Sequence, residues 1–239
     1  MTVSLPTPSS KLTRGWAGVI AIVAWLTLAL EVFVITRQVI ARGGDFFAGF
    51  WIYVGYFTIL TNTLTAIVMT AVAMGRVSPK RGATSTSLVT AVTLYILIVS
   101  VVYTLLLRNQ LHFTGLEVVT DIGMHYAVPI LTVMWWVVAW PKAILPLRHA
   151  AFWLAYPLTY CIYILIRGAW TGWFPYPFVE ATTLGWGQVA INCVALTGAF
   201  YALGLGAVWL TRVAHWASRS PAVAKVAVQT QDHPGQARG

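Results

Sequence analysis

An all-α polytopic membrane protein, a bundle of six transmembrane helices with both termini cytoplasmic, is the fold class this sequence predicts. Three observations predict it. Of 239 residues, 59% are hydrophobic and only 9% are charged, against roughly 25% charged in a soluble domain. The apolar residues fall into long continuous runs, each near the roughly 20 residues that cross a bilayer core. Those runs do not alternate with period two. That selects helices over a closed barrel, the other architecture that satisfies its own backbone in lipid.

Residues 1–14 are rich in Ser, Thr and Pro and end in Lys11 and Arg14. They predict a disordered basic leader. The first apolar run, about 15–35, is too long for a signal-peptide core, and no small-x-small cleavage site follows it, so it predicts a retained helix. Further spans are expected at about 50–74, 87–107, 122–140, 150–170 and 184–211, which makes one six-helix domain over 15–211. The polar segment 212–239 predicts a disordered cytoplasmic tail.

The net charge of +9 does not point to nucleic acid, because the basic residues flank the apolar runs. Flanking Lys and Arg orient a membrane protein. The leader, the 75–86 and 141–149 loops and the tail hold eleven of them, and the remaining segments hold Arg37, Arg42, Arg108 and Arg167. The expected placement is a bacterial cytoplasmic membrane with the leader and tail inside. Glu31, Asp45, Glu117, Asp121 and Glu180 then all fall towards the outer face. Cys161 and Cys193 form no CxxC motif and are expected to be small core residues.

Polar residues within spans usually face the bundle interior. Thr58, Thr61, Asn62 and Thr65 share one helical face, as do Asp121, His125 and Thr132. Tyr156, Thr159, Tyr160, Tyr163 and Arg167 form a third stripe, and Gln188 and Asn192 a shorter one. Such stripes either meet around a polar cavity or join helices. For the tyrosines, cavity lining and interfacial anchoring both remain open. His125 is the one histidine inside a span and away from the basic flank. An ionisable residue there is a functional candidate.

Three motifs carry a family resemblance. They are the stretch from Trp51 to Asn62 with its Phe57-Thr58 pair, the stretch Asp121-Ile-Gly-Met-His125, and the Trp173–Glu180 loop with Tyr176-Pro177-Phe178. Together they resemble the bacterial six-span Pr-six-Pr family. They are also similar, at a distance, to the animal androgen-induced and androgen-dependent TFPI-regulating proteins, threonine hydrolases that cleave fatty acid esters of hydroxy fatty acids. The resemblance implies Thr58 as nucleophile and His125 as catalytic histidine. It assigns no role to the Tyr176–Glu180 loop. The animal members carry Asn where this chain has Asp121.

The residues suit that chemistry. A hydroxyl needs a base to become a nucleophile, and histidine titrates in the right range. In a continuous second span Thr58 is expected roughly 10–12 Å along the helix, and His125 roughly 5 Å along the fourth. Asp121 either orients the imidazole or simply begins its helix. Asn62 is either an oxyanion donor or an interhelical hydrogen bond. The Trp173–Glu180 loop is either a partial lid, placing Tyr176, Pro177, Phe178 and Glu180 over the site with Tyr160 and Tyr163 beneath, or an aromatic anchor. The expected partner is a lipid or fatty-acyl ester. No cofactor is expected, and no metal, since the spans hold no clustered ligand set. A small transporter or channel using Glu31, Asp121, His125 and Arg167 as a relay is the rival reading, followed by a membrane scaffold. A haem protein lacks a second in-span histidine.

Overall fold

The computed structural model describes residues 10–78, 81–140 and 143–219. Among them there is no strand. Five helical segments among them are long and apolar enough to cross a membrane, or six if one bent pair, Phe46–Tyr53 with Phe57–Ala73, counts as a span. The structure is thus that of an all-helical membrane protein.

Helix α1 runs Ser10–Ala41. It starts earlier than the expected leader allows, so Lys11 and Arg14 lie on its first turns, and Arg14 donates to the Ala73 carbonyl at 2.9 Å. Residues 1–9 lie outside the described residues. Helices α2 (Phe46–Tyr53) and α3 (Phe57–Ala73) follow. Then comes α4 (Ala83–Val102), prolonged by a π turn at Tyr103–Leu107. Helix α5 (Leu116–Ile122) passes through a second π turn, Gly123–Ala127, into α6 (Val128–Ala139). The short α7 (Arg148–Phe152) leads into α8 (Ala155–Thr171). Finally α9 (Ala181–Arg219) bends at Gly185, whose φ of 75° is left-handed. The helix therefore carries part of the expected tail, whose residues 220–239 lie outside the described ones.

The inner core joins α1, α3, α4 and α6 through Ile20, Met69, Val92 and Trp135. A second cluster above it adds the π turn through Met124. Tyr95, Leu145, Trp153 and Phe200 tie α4 to α7 and α9. Helices α8 and α9 turn Ile162, Ile166, Trp170, Ile191 and Val194 outward, as lipid-facing helices do.

The second span is where structure and expectation part. It is broken, with α2 and α3 meeting at 80°. A break inside a membrane frees carbonyls that lipid cannot satisfy. Helix α8 supplies the donors. Tyr160 Oη donates to Gly55 O at 2.8 Å, Tyr163 Oη to Val54 O at 3.4 Å, and Arg167 Nη2 to Trp51 O at 2.6 Å. The buried Arg167 guanidinium also lies 4.2 Å from the Trp51 ring centre and 4.8 Å from that of Trp173. Gly55 is required here, because a Cβ would meet Arg167 Nη1 and the Trp173 ring, each at 2.6 Å.

Candidate functional site

The break moves Thr58. Instead of lying deep in a continuous helix, it is the second residue of α3, just after the N-cap Tyr56. The first-turn N–H groups of a helix have no intrahelical acceptor. No side-chain cap comes from Tyr56 itself. The Tyr176 phenol does this from the loop between α8 and α9, accepting from Thr58 N at 3.3 Å. Tyr176 is outside the spans, and burial pushes its phenol above the ordinary range, opposed by hydrogen bonding to Thr58, Phe57 and Tyr160 groups. The phenol therefore stays protonated.

His125 sits in the π turn before α6. The cause of that turn lies four residues on. Pro129 has no N–H, so it cannot bond the carbonyl opposite it. In the α register that carbonyl is His125's, and in the π register it is Met124's. Both are taken by side chains from other helices. Ser100 Oγ donates to His125 O at 2.6 Å, and Asn62 Nδ2 donates to Met124 O at 3.4 Å. The π turn also brings Gly123 against α1, where a Cβ would meet Thr27 Oγ1 at 2.6 Å.

Asp121 lies beyond the first turn of α5, so it does not begin the helix. That end is served by Glu117, whose Oε2 accepts from Thr114 N at 3.0 Å. Asp121 Oδ1 instead lies 2.9 Å from His125 Nδ1. A carboxylate only accepts, so the Nδ1 proton points to it, which leaves Nε2 as the nitrogen that can exchange a proton. The imidazole stacks on the Tyr103 ring, with centroids 3.6 Å apart.

Asn62 does not have the geometry of an oxyanion donor. Its amide nitrogen bonds the Thr58 carbonyl at 2.8 Å as well as Met124. Its role is a tie between the first turn of α3 and the π turn bearing His125.

Thr58 and His125 line one chamber of about 280 Å³, roofed by Tyr176 and Pro177. No hydrogen bond joins them directly. Thr58 also lines a second, apolar chamber of about 100 Å³, whose far wall is the seam between α8 and α9. Tyr103, Leu107 and Tyr176 are shared with Thr58 by both chambers. Of these two, Phe178 and Tyr160 line only the apolar one. Tyr160 and Tyr163 also line a third, more open cavity of about 330 Å³ beside the broken helix, with Tyr156 and Thr159. Glu180 lines none of these three, and accepts from Thr182 Oγ1 at 3.2 Å at the start of α9.

Three contributors escaped the sequence reading. Tyr103 is 2% exposed, stacks on His125 and turns its hydroxyl towards Asp121. Its only sequence signal was a phenol in an apolar run. Ser100 and Pro129 are the others, and Pro129 four residues after His125 was the readable sign. The Gln188–Asn192 pair also gains a function, since Asn192 Nδ2 holds the loop between α8 and α9 through Phe178 O at 2.8 Å.

No family model, curated protein or solved structure matches this chain. The likeness to the Pr-six-Pr family therefore rests on the three motifs alone.

Proposed function

We propose that this protein is an integral membrane hydrolase of fatty-acyl esters. One observation carries the reading. Thr58 stands at the junction of an apolar chamber and a polar one, and the polar one holds His125 already paired with Asp121. An ester with its tail in the first chamber and its alcohol part in the second would present its carbonyl at Thr58.

The chemistry follows. Thr58 Oγ attacks the carbonyl carbon while His125 Nε2 takes the hydroxyl proton. The tetrahedral intermediate collapses, the alcohol leaves with that proton, and the acyl group stays on Thr58. Water then attacks the acyl-threonine, giving its proton through His125, and the fatty acid departs. Asp121 stabilises the imidazolium and fixes its tautomer. The N-terminal end of α3 favours the developing oxyanion.

The bent pair counts as one span in this reading, which gives six. Both termini are cytoplasmic, in a bacterial cytoplasmic membrane, with the chambers towards the outer face. The eleven-to-four distribution of Lys and Arg supports that orientation. Against a relay-type transporter stands Arg167, which is committed to the Trp51 carbonyl and lines neither chamber.

The test is labelling of the purified protein by a fluorophosphonate probe, with the adduct located by mass spectrometry. Thr58→Ala and His125→Ala should each lose labelling and at least about 10³-fold in turnover. Thr58→Ser should retain part of it. Thr63→Ala is the control, because Thr61 is fully buried and bonded to Tyr156 at 3.1 Å. A folded Thr58→Ala protein that hydrolyses esters at the parent rate would end the threonine mechanism. A parent inert to every lipid ester would favour a transporter or scaffold.

A further inference from the structure

The apolar chamber bordered by Thr58 is closed on most sides. Its roof is the loop between α8 and α9, where the Tyr176 and Phe178 rings stack with centroids 5.2 Å apart. Its floor is aromatic. Phe57 and Phe200 line it with ring centroids 6.0 Å apart, and Tyr95 and Tyr156 pack behind them. The α4 wall is sealed as well. Ile98 and Val99 are buried. Ile98 and Phe200 share one buried cluster, with Val102 packed against it.

The seam between α8 and α9 differs. From α8 that cluster takes only Tyr156, at the first turn. Beyond it the chamber is walled by Pro157, Cys161 and Ile164 of α8 and by Cys193, Leu196 and Thr197 of α9. All of these but Ile164 are half-buried. They face the same chamber as the buried Ile98 and Val99, so their exposure comes from the lipid side. Among the described residues, the one side-chain hydrogen bond between the two helices joins Cys161 and Cys193, sulfur to sulfur at 3.3 Å. Thr197 spends its hydroxyl on the Cys193 carbonyl at 2.8 Å. The seam is therefore thin, apolar and weakly joined.

The length of a tail decides what such a seam can do. From Ile164 to Pro157 the α8 wall is seven residues long, about 10 Å, which an extended acyl chain fills with about eight carbons. A longer chain meets the aromatic floor and has to leave sideways. The seam is the wall that can part for it, into surroundings as apolar as the chain itself.

We propose that the α8–α9 seam at Cys161 and Cys193 is a lateral portal for the tail of a long-chain fatty-acyl ester. The tail reaches the chamber from the bilayer through this seam, and its far carbons stay in the seam while the ester bond lies at Thr58. The proposal rests on the hydrolase reading. Joining the two sulfurs would shut the portal without touching Thr58 or His125. Copper–phenanthroline does this by taking one electron and one proton from each thiol, which leaves a disulfide across the seam.

The experiment uses the full chain in nanodiscs and p-nitrophenyl esters from butyrate to palmitate, so that only the acyl chain changes. Before oxidation, kcat/KM should rise with chain length to about eight carbons and then level. After oxidation, with the disulfide confirmed as a cross-linked peptide, the palmitate should be cleaved at least about tenfold more slowly and the butyrate at its former rate. A thiol reductant should restore the first pattern, and Cys193→Ser should make every rate insensitive to the oxidant. Thr197→Trp, which fills the seam without oxidation, should reproduce the long-chain loss. Equal losses at every length, an unchanged palmitate rate, or failure of the disulfide to form would each overturn the portal and leave the hydrolase reading standing. If no ester is cleaved at any length, the hydrolase reading falls and binding decides the rest. A hexadecyl ether carrying a diazirine in its chain should then label the buried α4 wall at Ile98 or Val99 in the reduced protein and not in the oxidised one. Labelling that oxidation leaves unchanged, or none on that wall, removes the portal.

Discussion

Replacing Asn62 with Ala separates positioning from chemistry. The amide is fully buried and joins the Thr58 carbonyl at 2.8 Å to the Met124 carbonyl at 3.4 Å. The two losses are unequal. Thr58 O sits in a regular helix and keeps its backbone donor, so there the change costs one ordinary hydrogen bond, about 1 kcal/mol. Met124 O faces Pro129 in the π register and has no such donor. It becomes a buried unpaired carbonyl, at about 1–3 kcal/mol. For a chain of this size each kcal/mol lowers Tm by roughly 2–4 °C. The tie between the Thr58 turn and the His125 turn is also cut, and a shift of about 1 Å between reacting groups costs on the order of 100-fold. The Asn62 Oδ1 is itself buried without a partner, so its removal offsets part of this cost; the expected result is a Tm lower by a few degrees at most, a kcat lower by about 100-fold and a KM nearly unchanged, because neither chamber loses a wall. The assay is steady-state hydrolysis of a palmitoyl ester beside thermal unfolding in the same detergent. Ser100→Ala, which orphans the neighbouring His125 carbonyl, should act in the same direction. A variant with the parent's Tm and kcat would refute the argument that Pro129 makes these side chains necessary.

Orientation is checked by fusions, in which a reporter after Arg219 should read cytoplasmic and one within residues 108–120 external; the reverse pair would invert every depth argument. Phe178→Ala, which opens only the apolar chamber, should reduce hydrolysis of long-chain esters about tenfold while leaving short-chain esters nearly as fast; equal losses would assign the loop to folding. Cys161 and Cys193 lie with their sulfurs 3.3 Å apart in the α8–α9 seam, so copper–phenanthroline should oxidise them to one disulfide, detected as a cross-linked peptide, and Cys161→Ser should abolish it. Failure to cross-link would mean that the two helices do not pack in this register.

The all-helical character and the long apolar helices were legible because they depend on composition along one stretch of chain. The Asp121–His125 pair was legible for the same reason, since four residues on one helix face place the groups together whatever surrounds them. The expected depth of Thr58 was not. It assumed a continuous second span, and nothing local rules one out, because Gly55 is tolerated within membrane helices. What breaks the helix there is tertiary. Arg167 and Trp173 approach so closely that only a residue without Cβ fits between them.

The same dependence explains the tyrosine stripe. Periodicity put Tyr160, Tyr163 and Arg167 on one face of α8, and a cavity was one natural use for that face. A broken helix in lipid has a stricter need, because every freed carbonyl requires a donor at its own depth. The three side chains meet that need at Gly55, Val54 and Trp51 in turn. The π turn repeats the pattern, with Pro129 unable to donate to the carbonyls of His125 or Met124 and Ser100 and Asn62 donating in its place. Both irregularities adjoin the candidate site, one setting Thr58 at a helix start and the other turning His125 towards it. The polar residues that looked like a site on the sequence therefore divide into two groups. A few face the chambers, and the larger number hold open the backbone geometry that lets those few meet.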